Sequence, residues 1–476
     1  MSDRVVTQLV DEAVRRHYTR RDIMRRGAAL GLSAPAIAMA MNAVRPLPAF
    51  AQDTSNPLGV DPAAGLDVVI FDGGFGNEYA VNVNNMYNAL YPDAEITYTA
   101  TIRLGPQFQP RFVSGNPPDV MDNSGAENLP IATLVAEGQL ADLADLLAAP
   151  AYDTEGATFI DTLVPGSQET GVYSGVQNVM LYAMTVYGIW YNQTWFEEQG
   201  YTYPTTWADM LTLCEDIKAQ GIAPWTYQGQ YPQYMRLLFD QMVPKQGGLE
   251  ALVALDNLED GAWLSEPVMA AASALRQLYD MDYILEGTEA LSHTDSQAAW
   301  LQGQAAFIPC GTWLENEMAD LTPEDFVMVV NPSPSLEGDV VPFEGIGAWA
   351  GENFHVSSQG ANVQGGKEWL RLLFSKEGAR FFSENTKAPT VVVGAAEGLD
   401  LGVPFQSAAD AIANAGENAF ASRYADWYPQ LSTDSRDQFG RLMTGQASVE
   451  EVLQAIQESA DAVKADDSIP KYTREI

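Results

Sequence analysis

Strand-like and helix-like segments alternate along most of this chain, and that alternation narrows its fold more than any other feature. Residues 66–72 (LDVVIFD) form a continuous apolar run bounded by turn residues, the mark of a buried strand. Residues 77–90 carry helical spacing, 96–102 alternate as a strand, and 117–122 read as a strand leaving a turn. Helical periodicity covers 129–147, and a long apolar strand pattern covers 179–191. Thr206 is the expected N-cap of a helix over 207–220, with the Asp209 carboxylate as its partner at the third helical position and Gly221 as its stop. Further strands are expected at 223–228, 305–309, 325–330 and 346–356, and helices at 232–243, 266–280, 294–302, 366–384, 405–413 and 448–464. Such an order predicts an α/β fold, a mainly parallel sheet covered by helices on both faces. The length favours two domains over one core, and no internal repeat or low-complexity tract is present.

The first 51 residues read as an address rather than as part of that fold. Thr19, Arg20, Arg21, Ile23, Met24 and Arg25 match the twin-arginine export consensus. An Ala/Gly-rich apolar stretch at 27–44 follows, then the small-x-small triplet Ala49-Phe50-Ala51. Pro35 and the shortness of the run argue against a permanent span. The expectation is a signal peptide over 1–51, a mature start near Gln52, a Pro/Gly/Ser-rich linker over 52–65, and a periplasmic or extracellular protein associated with the cell envelope.

The formal net charge is −38, and eight of the 25 Lys and Arg lie in the first 51 residues. Loss of that segment leaves a still more acidic chain, which repels phosphate backbones and anionic lipid. Nucleic acid is therefore not an expected partner. The acids are dispersed, as on a solvated surface. Cys214 and Cys310 are the only cysteines. An exported chain can join such a pair, but both lie in apolar patterns that suit buried free thiols, and sequence leaves the choice open.

Residues 187–228 show a strand ending in Trp190-Tyr191-Asn192, an aromatic-Glu-x-x-Gly turn, Pro204-Thr205-Thr206-Trp207 opening a helix, and Gly221-Ile222-Ala223-Pro224 closing it. This pattern resembles the extracellular solute-binding proteins of carbohydrate ABC importers. Residues 115–120 (GNPPDV), 300–307 (WLQGQAAF) and 311–318 (GTWLENEM) agree with it, so the resemblance covers most of 66–385. FDGGFGNEYA (71–80) and DNSGAENL (122–129) look like the branch that binds N-acetylglucosamine and chitobiose. The resemblance implies a two-lobe, periplasmic-binding-protein-like fold of type II with a multi-strand hinge and discontinuous lobes. Its crossings would fall near 180–188, 308–312 and 345–350. The lobes would comprise 66–185 with 312–345, and 186–311 with 346–476.

A sugar offers apolar C–H faces and a rim of hydroxyls, so its binder needs flat rings and fixed polar groups. Phe75, in GGFG, ends the first strand, where open α/β sheets bind ligands, but it equally suits a plug in a glycine turn. Asp122 and Asn123 follow the third strand and can exchange hydrogen bonds with hydroxyls or cap a turn. Trp225 and Gln228 end a strand, with stacking or core filling as the two roles for the indole. Trp313 is a candidate for the cleft floor. Glu315 is a sugar ligand or a complement to a helix N-terminus. Glu344 and Trp349 flank the third crossing, and Tyr231 and Tyr234 are weaker candidates. His293 and His355 lack metal-like spacing, GGFG lacks the Lys-Ser/Thr of a phosphate loop, and no cofactor is expected.

The resemblance thus implies a non-enzymatic, monomeric binding component that closes on a mono- or oligosaccharide and delivers it to ABC permease membrane subunits. A secreted glycoside hydrolase or lyase, and a binder of a non-sugar solute, are the rivals.

Overall fold

A computed structural model describes residues 56–475 of the chain, so the signal-peptide reading lies outside the described residues. The strands, in chain order, are β1 (Leu66–Phe71), β2 (Ile96–Thr101), β3 (Val120–Asp122), β4 (Val172–Tyr173), β5 (Val176–Gln177), β6 (Val179–Asn192), β7 (Ala223–Trp225), β8 (Ala305–Gly311), β9 (Met328–Asn331), β10 (Ile346–Val356) and β11 (Ala419–Phe420). All but the β4–β5 hairpin join one sheet in the order β2-β1-β3-β10-β6-β8-β7, with β11 on β10 and β9 on β6.

The two longest strands are the spine. β6 and β10 pair antiparallel from Gly347 opposite Tyr187 to His355 opposite Val179. At one end β10 continues the sheet through Phe354 opposite Asp122 of β3, and parallel β1 and β2 lie beyond. At the other end Tyr187–Trp190 pair with β8 and Ile189–Asn192 with β9. Two half-sheets therefore share two strands, and β6 passes between them in the region expected for the first crossing. The expected mainly parallel sheet is corrected here. β1–β2, β1–β3, β7–β8 and β10–β11 are parallel, but every ladder of β6 is antiparallel, because its partners return from excursions into one half or the other.

The packing also departs from the expected division of the chain. Residues 312–345 do not return to the first half. β9 pairs with the far end of β6, and Leu314 and Met318 share a core with Trp190, Trp300, Ile308 and Met328. Conversely, helices Val363–Leu373 and Lys376–Thr386 cover the first half. Trp369 donates its indole N–H to Asn84 Oδ1 at 2.8 Å, and Phe382 packs edge-on to Tyr79 at 5.3 Å. The chain then crosses again, since Ala408 and Ala411 of helix Gly402–Ala415 join the Trp190 core.

Local signals account for several helix starts, where Asn, Thr or Ser side chains cap the first turn. The Asp209 N–H donates to Thr206 Oγ1 at 3.2 Å, the cap expected for helix Trp207–Ala219. Two expected helices are split. Gly138, at φ +65, separates Ile131–Ala136 from Ala144–Ala148. Ser375 ends Val363–Leu373 and caps the next helix by accepting from the Gly378 N–H at 3.0 Å. Cys214 and Cys310 are free and buried. At the C-terminus, Arg474 pairs with buried Asp256 at 2.9 Å, and the Tyr472 ring lies 5.6 Å from both Tyr173 and Trp427. The last residues thus touch the hairpin beside the first half and helices of the second. Among the described residues no helix is long and apolar enough to cross a membrane.

Candidate functional site

Four aromatic rings gather where β6 passes between the half-sheets. Tyr187 is buried on β6 and donates its hydroxyl proton to Tyr234 O at 2.7 Å, which fixes the ring. Half-buried Trp349, on the facing stretch of β10, stacks on it at 6.1 Å with planes 22° apart. Trp313, just after β8, stands 6.2 Å from Tyr187 and edge-on to Tyr234 at 6.1 Å. Sequence proposed Trp313, Trp349 and Tyr234 from separate segments, and the structure brings them together. Tyr231 lies beside them in chain order, its ring edge-on to His293 at 5.5 Å.

The turn after β1 meets this face. A Cβ at Gly74 would lie 3.0 Å from both Trp313 Cβ and Glu317 Cγ, so only glycine fits without displacing them. Asn316 Nδ2 donates to Gly74 O across the same contact. The flanking glycine loops have a packing reason of their own. Cβ atoms at Gly73 and Gly125 would fall 2.0 and 2.2 Å from the Phe71 ring, which the two loops clasp.

Carboxyl groups gather in the adjoining region, with His293 near Glu317 and Lys387 acting on Glu315 as their basic neighbours among the described residues. Asp122 is fully buried, accepting from Tyr79 Oη at 2.8 Å and from Ser124 Oγ at 2.5 Å. The Glu352 carboxyl is its neighbour, and the Asp122 charge acts on it. Burial pushes Asp122 up to about 7, partly offset by its hydrogen bonds. Burial and then the Asp122 charge push Glu352 up as well. Glu317, with 12% of its side chain exposed, accepts from Gln297 Nε2 at 2.6 Å, and burial raises it to about 7. Glu315 is half-buried and burial raises it to about 7, with Lys387 pulling the other way.

The remaining expected site residues scatter. Phe75 is buried with its ring 5.2 Å from Phe382, as a plug. Asn123 spends both ends of its amide on the backbone, donating to Leu129 O and accepting from Leu129 N, each at 2.8 Å. Trp225 is 1% exposed, with Trp207 and Phe307 as ring neighbours and Cys214 Sγ 3.3 Å from its indole nitrogen. Gln228 is buried, donating to Pro309 O at 3.1 Å with its Oε1 unpartnered. Glu344 is exposed on the turn before β10. His355 is buried and burial holds it near 3; among the described residues no group of three or more His, Cys, Asp or Glu is placed to hold a metal ion.

Sequence reasoning passed over Tyr187, Glu317, Glu352 and Gln297. Glu317 sits in the same WLENEM segment as Trp313, so its signal was at hand. Glu352 had none, because its role depends on a partner far away in the chain.

Comparisons with known proteins bear on this arrangement. Residues 74–380 match the family model described as bacterial extracellular solute-binding protein. The diacetylchitobiose binding protein NgcE of Streptomyces coelicolor is 33% identical over 423 residues, covering 88% of this chain and 89% of that protein. Among solved structures, a chitin oligosaccharide binding protein aligns with a TM-score of 0.64 at 17% identity, covering 81% of this chain and 94% of the other. The solute-binding protein RafE in complex with raffinose aligns with a TM-score of 0.65 at 18% identity, covering 84% and 100%.

Proposed function

We propose, on the premise that the chain belongs to the bacterial extracellular solute-binding proteins, that it is the sugar-capturing component of an ABC importer and that its ligand is a chitobiose-type saccharide. Its fold is the two-lobed α/β architecture of that kind. The observation that carries the ligand reading is the Trp313–Trp349–Tyr187–Tyr234 cluster at the passage between half-sheets, in a chain that matches NgcE over 88% of its length. The partly exposed rings of Trp313, Trp349 and Tyr234 offer stacking faces, buried Tyr187 backs them, and Glu315 and Glu317 beside them offer acceptors for hydroxyls.

In this reading the lobes follow the packing. One comprises 58–183 with 354–395, the other 187–346 with 402–475, and β6 and β10 are the hinge. A sugar touching both lobes favours the closed form through its differential affinity, and the closed form docks on the permease. Export by the twin-arginine route completes the reading.

Calorimetric titration with N-acetylglucosamine, chitobiose, maltose, xylobiose and cellobiose tests it. Stoichiometric binding of chitobiose with no product is expected. Release of new reducing ends would replace the binder with a hydrolase.

A further inference from the structure

The hinge strand carries an acid where the backbone disfavours one. Glu352 has φ +52 within β10, between Gly351 opposite Ala183 and Asn353 opposite Leu181. A non-glycine residue in that region is disfavoured and persists only where its surroundings hold it. The backbone beside it is held by a compact polar knot. Ser124 Oγ donates to Asp122 and accepts from the Asn353 N–H at 2.9 Å, and Asn353 O accepts from the Asn123 N–H at 2.8 Å.

A third carboxyl approaches from the other half. Glu317 belongs to helix Leu314–Glu317, whose Leu314 is anchored in the Trp190 core, and its Oε1 lies against the Gly74 turn of the first half. The Glu352 charge acts on it. The groups facing this cluster are Tyr79 from helix Glu78–Leu90, Tyr98 from β2, Ser124 after β3, Asn353 from β10, and Gln297 and His293 from helix His293–Leu301. Asp72 and Glu78 act on Tyr98, and Asp295 acts on His293. Among the described residues neither Asp122 nor Glu352 is in an ion pair, and Glu317 has only His293 Nε2, at 3.9 Å.

We propose that closure of the two halves takes up protons at the Asp122–Glu352–Glu317 cluster, so that acid tightens the cleft and base loosens it. This rests on the solute-binding reading and adds its regulation. Opening moves Glu317 away from Gly74; it gains water and leaves the charge of Glu352, so it returns toward the ordinary carboxylate range. Asp122 and Glu352 stay together on adjoining strands of the first half and feel the change through its charge. The proton affinity of Glu317 is then higher closed than open. Closure is fully favoured below the ordinary carboxylate range and is weakened as pH rises through about 7. A single group of this kind makes the closed form, and any ligand that requires it, about tenfold less favoured at pH 8 than at pH 6.

Two measurements test this. Titration of the protein with N,N′-diacetylchitobiose at pH 6, 7 and 8, in buffers of different ionisation enthalpy, should show net proton uptake and about tenfold weaker binding at pH 8. Uptake should shrink in Glu317→Gln and in Glu352→Gln. Binding without uptake, or uptake unchanged in both variants, overturns the proposal. The second measurement needs neither sugar nor variant: the X-ray scattering radius of the ligand-free protein at pH 5.5 and 8.5. A larger radius at pH 8.5 sustains the proposal even where chitobiose fails as the ligand, and equal radii overturn it.

Discussion

Trp225 separates a ring that fills a core from one that holds a ligand. Its surroundings assign it to the first role: 1% exposure, Phe307 at 5.5 Å, Trp207 at 6.4 Å, and Cys214 Sγ against the indole nitrogen. Trp225→Ala removes a whole indole from a packed interior, which costs about 3–5 kcal/mol. Unfolding entropy near 2.1 cal/mol/K per residue, over roughly 420 residues, gives about 0.9 kcal/mol/K, so across that range the melting temperature should fall by about 3–6 °C. Trp225→Phe keeps an aromatic against Phe307 and should cost about half as much. Scanning calorimetry gives the stability, and titration with chitobiose well below the transition gives the affinity. Sugar affinity within twofold of the parent is expected for Trp225→Phe. A variant that melts like the parent yet binds about tenfold more weakly would refute the core assignment and place Trp225 in the cleft.

Asn123→Ala strands the N–H and C=O of Leu129, both buried with it, and should lower the urea-extrapolated stability by about 2–4 kcal/mol; a neutral result would mean the 124–129 loop is not held by this amide. Trp313→Ala should weaken saccharide binding by more than about 1 kcal/mol, the scale of a lost aromatic contact, and unchanged affinity in a folded variant removes it from the site. Global stability should fall as the medium turns basic. Folding raises Asp122, Glu315 and Glu317 to about 7 and Asp256 to about 6, so the native state holds protons there that the unfolded chain releases. That contribution is full below about pH 4 and is lost as pH rises through 6 to 7. His355, held near 3 by burial, opposes it, losing stability as pH falls through 6.5 towards 3, and burial lowers His293 in the same direction. A melting temperature lower at pH 8 than at pH 5.5 is expected, and a higher one contradicts the burial of these acids.

The spine of the fold was readable because β6 is a long, nearly continuous apolar run and β1 a short one bounded by turn residues, while β10 shows only a broken strand pattern. The Thr206 cap was readable for the opposite reason, since its partners lie within three residues. What sequence missed was non-local. The direction of β6 relative to its neighbours depends on where the chain has been, and the lobe to which 312–345 adheres depends on Trp190. Ser375 looked like one polar residue in a helical pattern until its hydroxyl was seen capping the next helix. At the site, Trp313 and Trp349 stood out as rings beside strand ends, but Trp225 carries the same local signature and lies in the core. Asn123 looked like a ligand because a staple and a sugar contact use the same amide. Glu352 drew no reading, because nothing near it in the chain marks its place beside Asp122.

The interleaving of the two halves orders how the molecule is made. The first half-sheet begins at Leu66, yet it lacks its neighbour β10 until Val356 and its covering helices until Thr386. The second half waits longer, for helix Val449–Ala465 and for Arg474 to reach Asp256. Neither half can consolidate before those late segments have been made, so strand edges and apolar faces stay open until then. Both halves are completed by segments from the last third of the described chain, so they close late and nearly together.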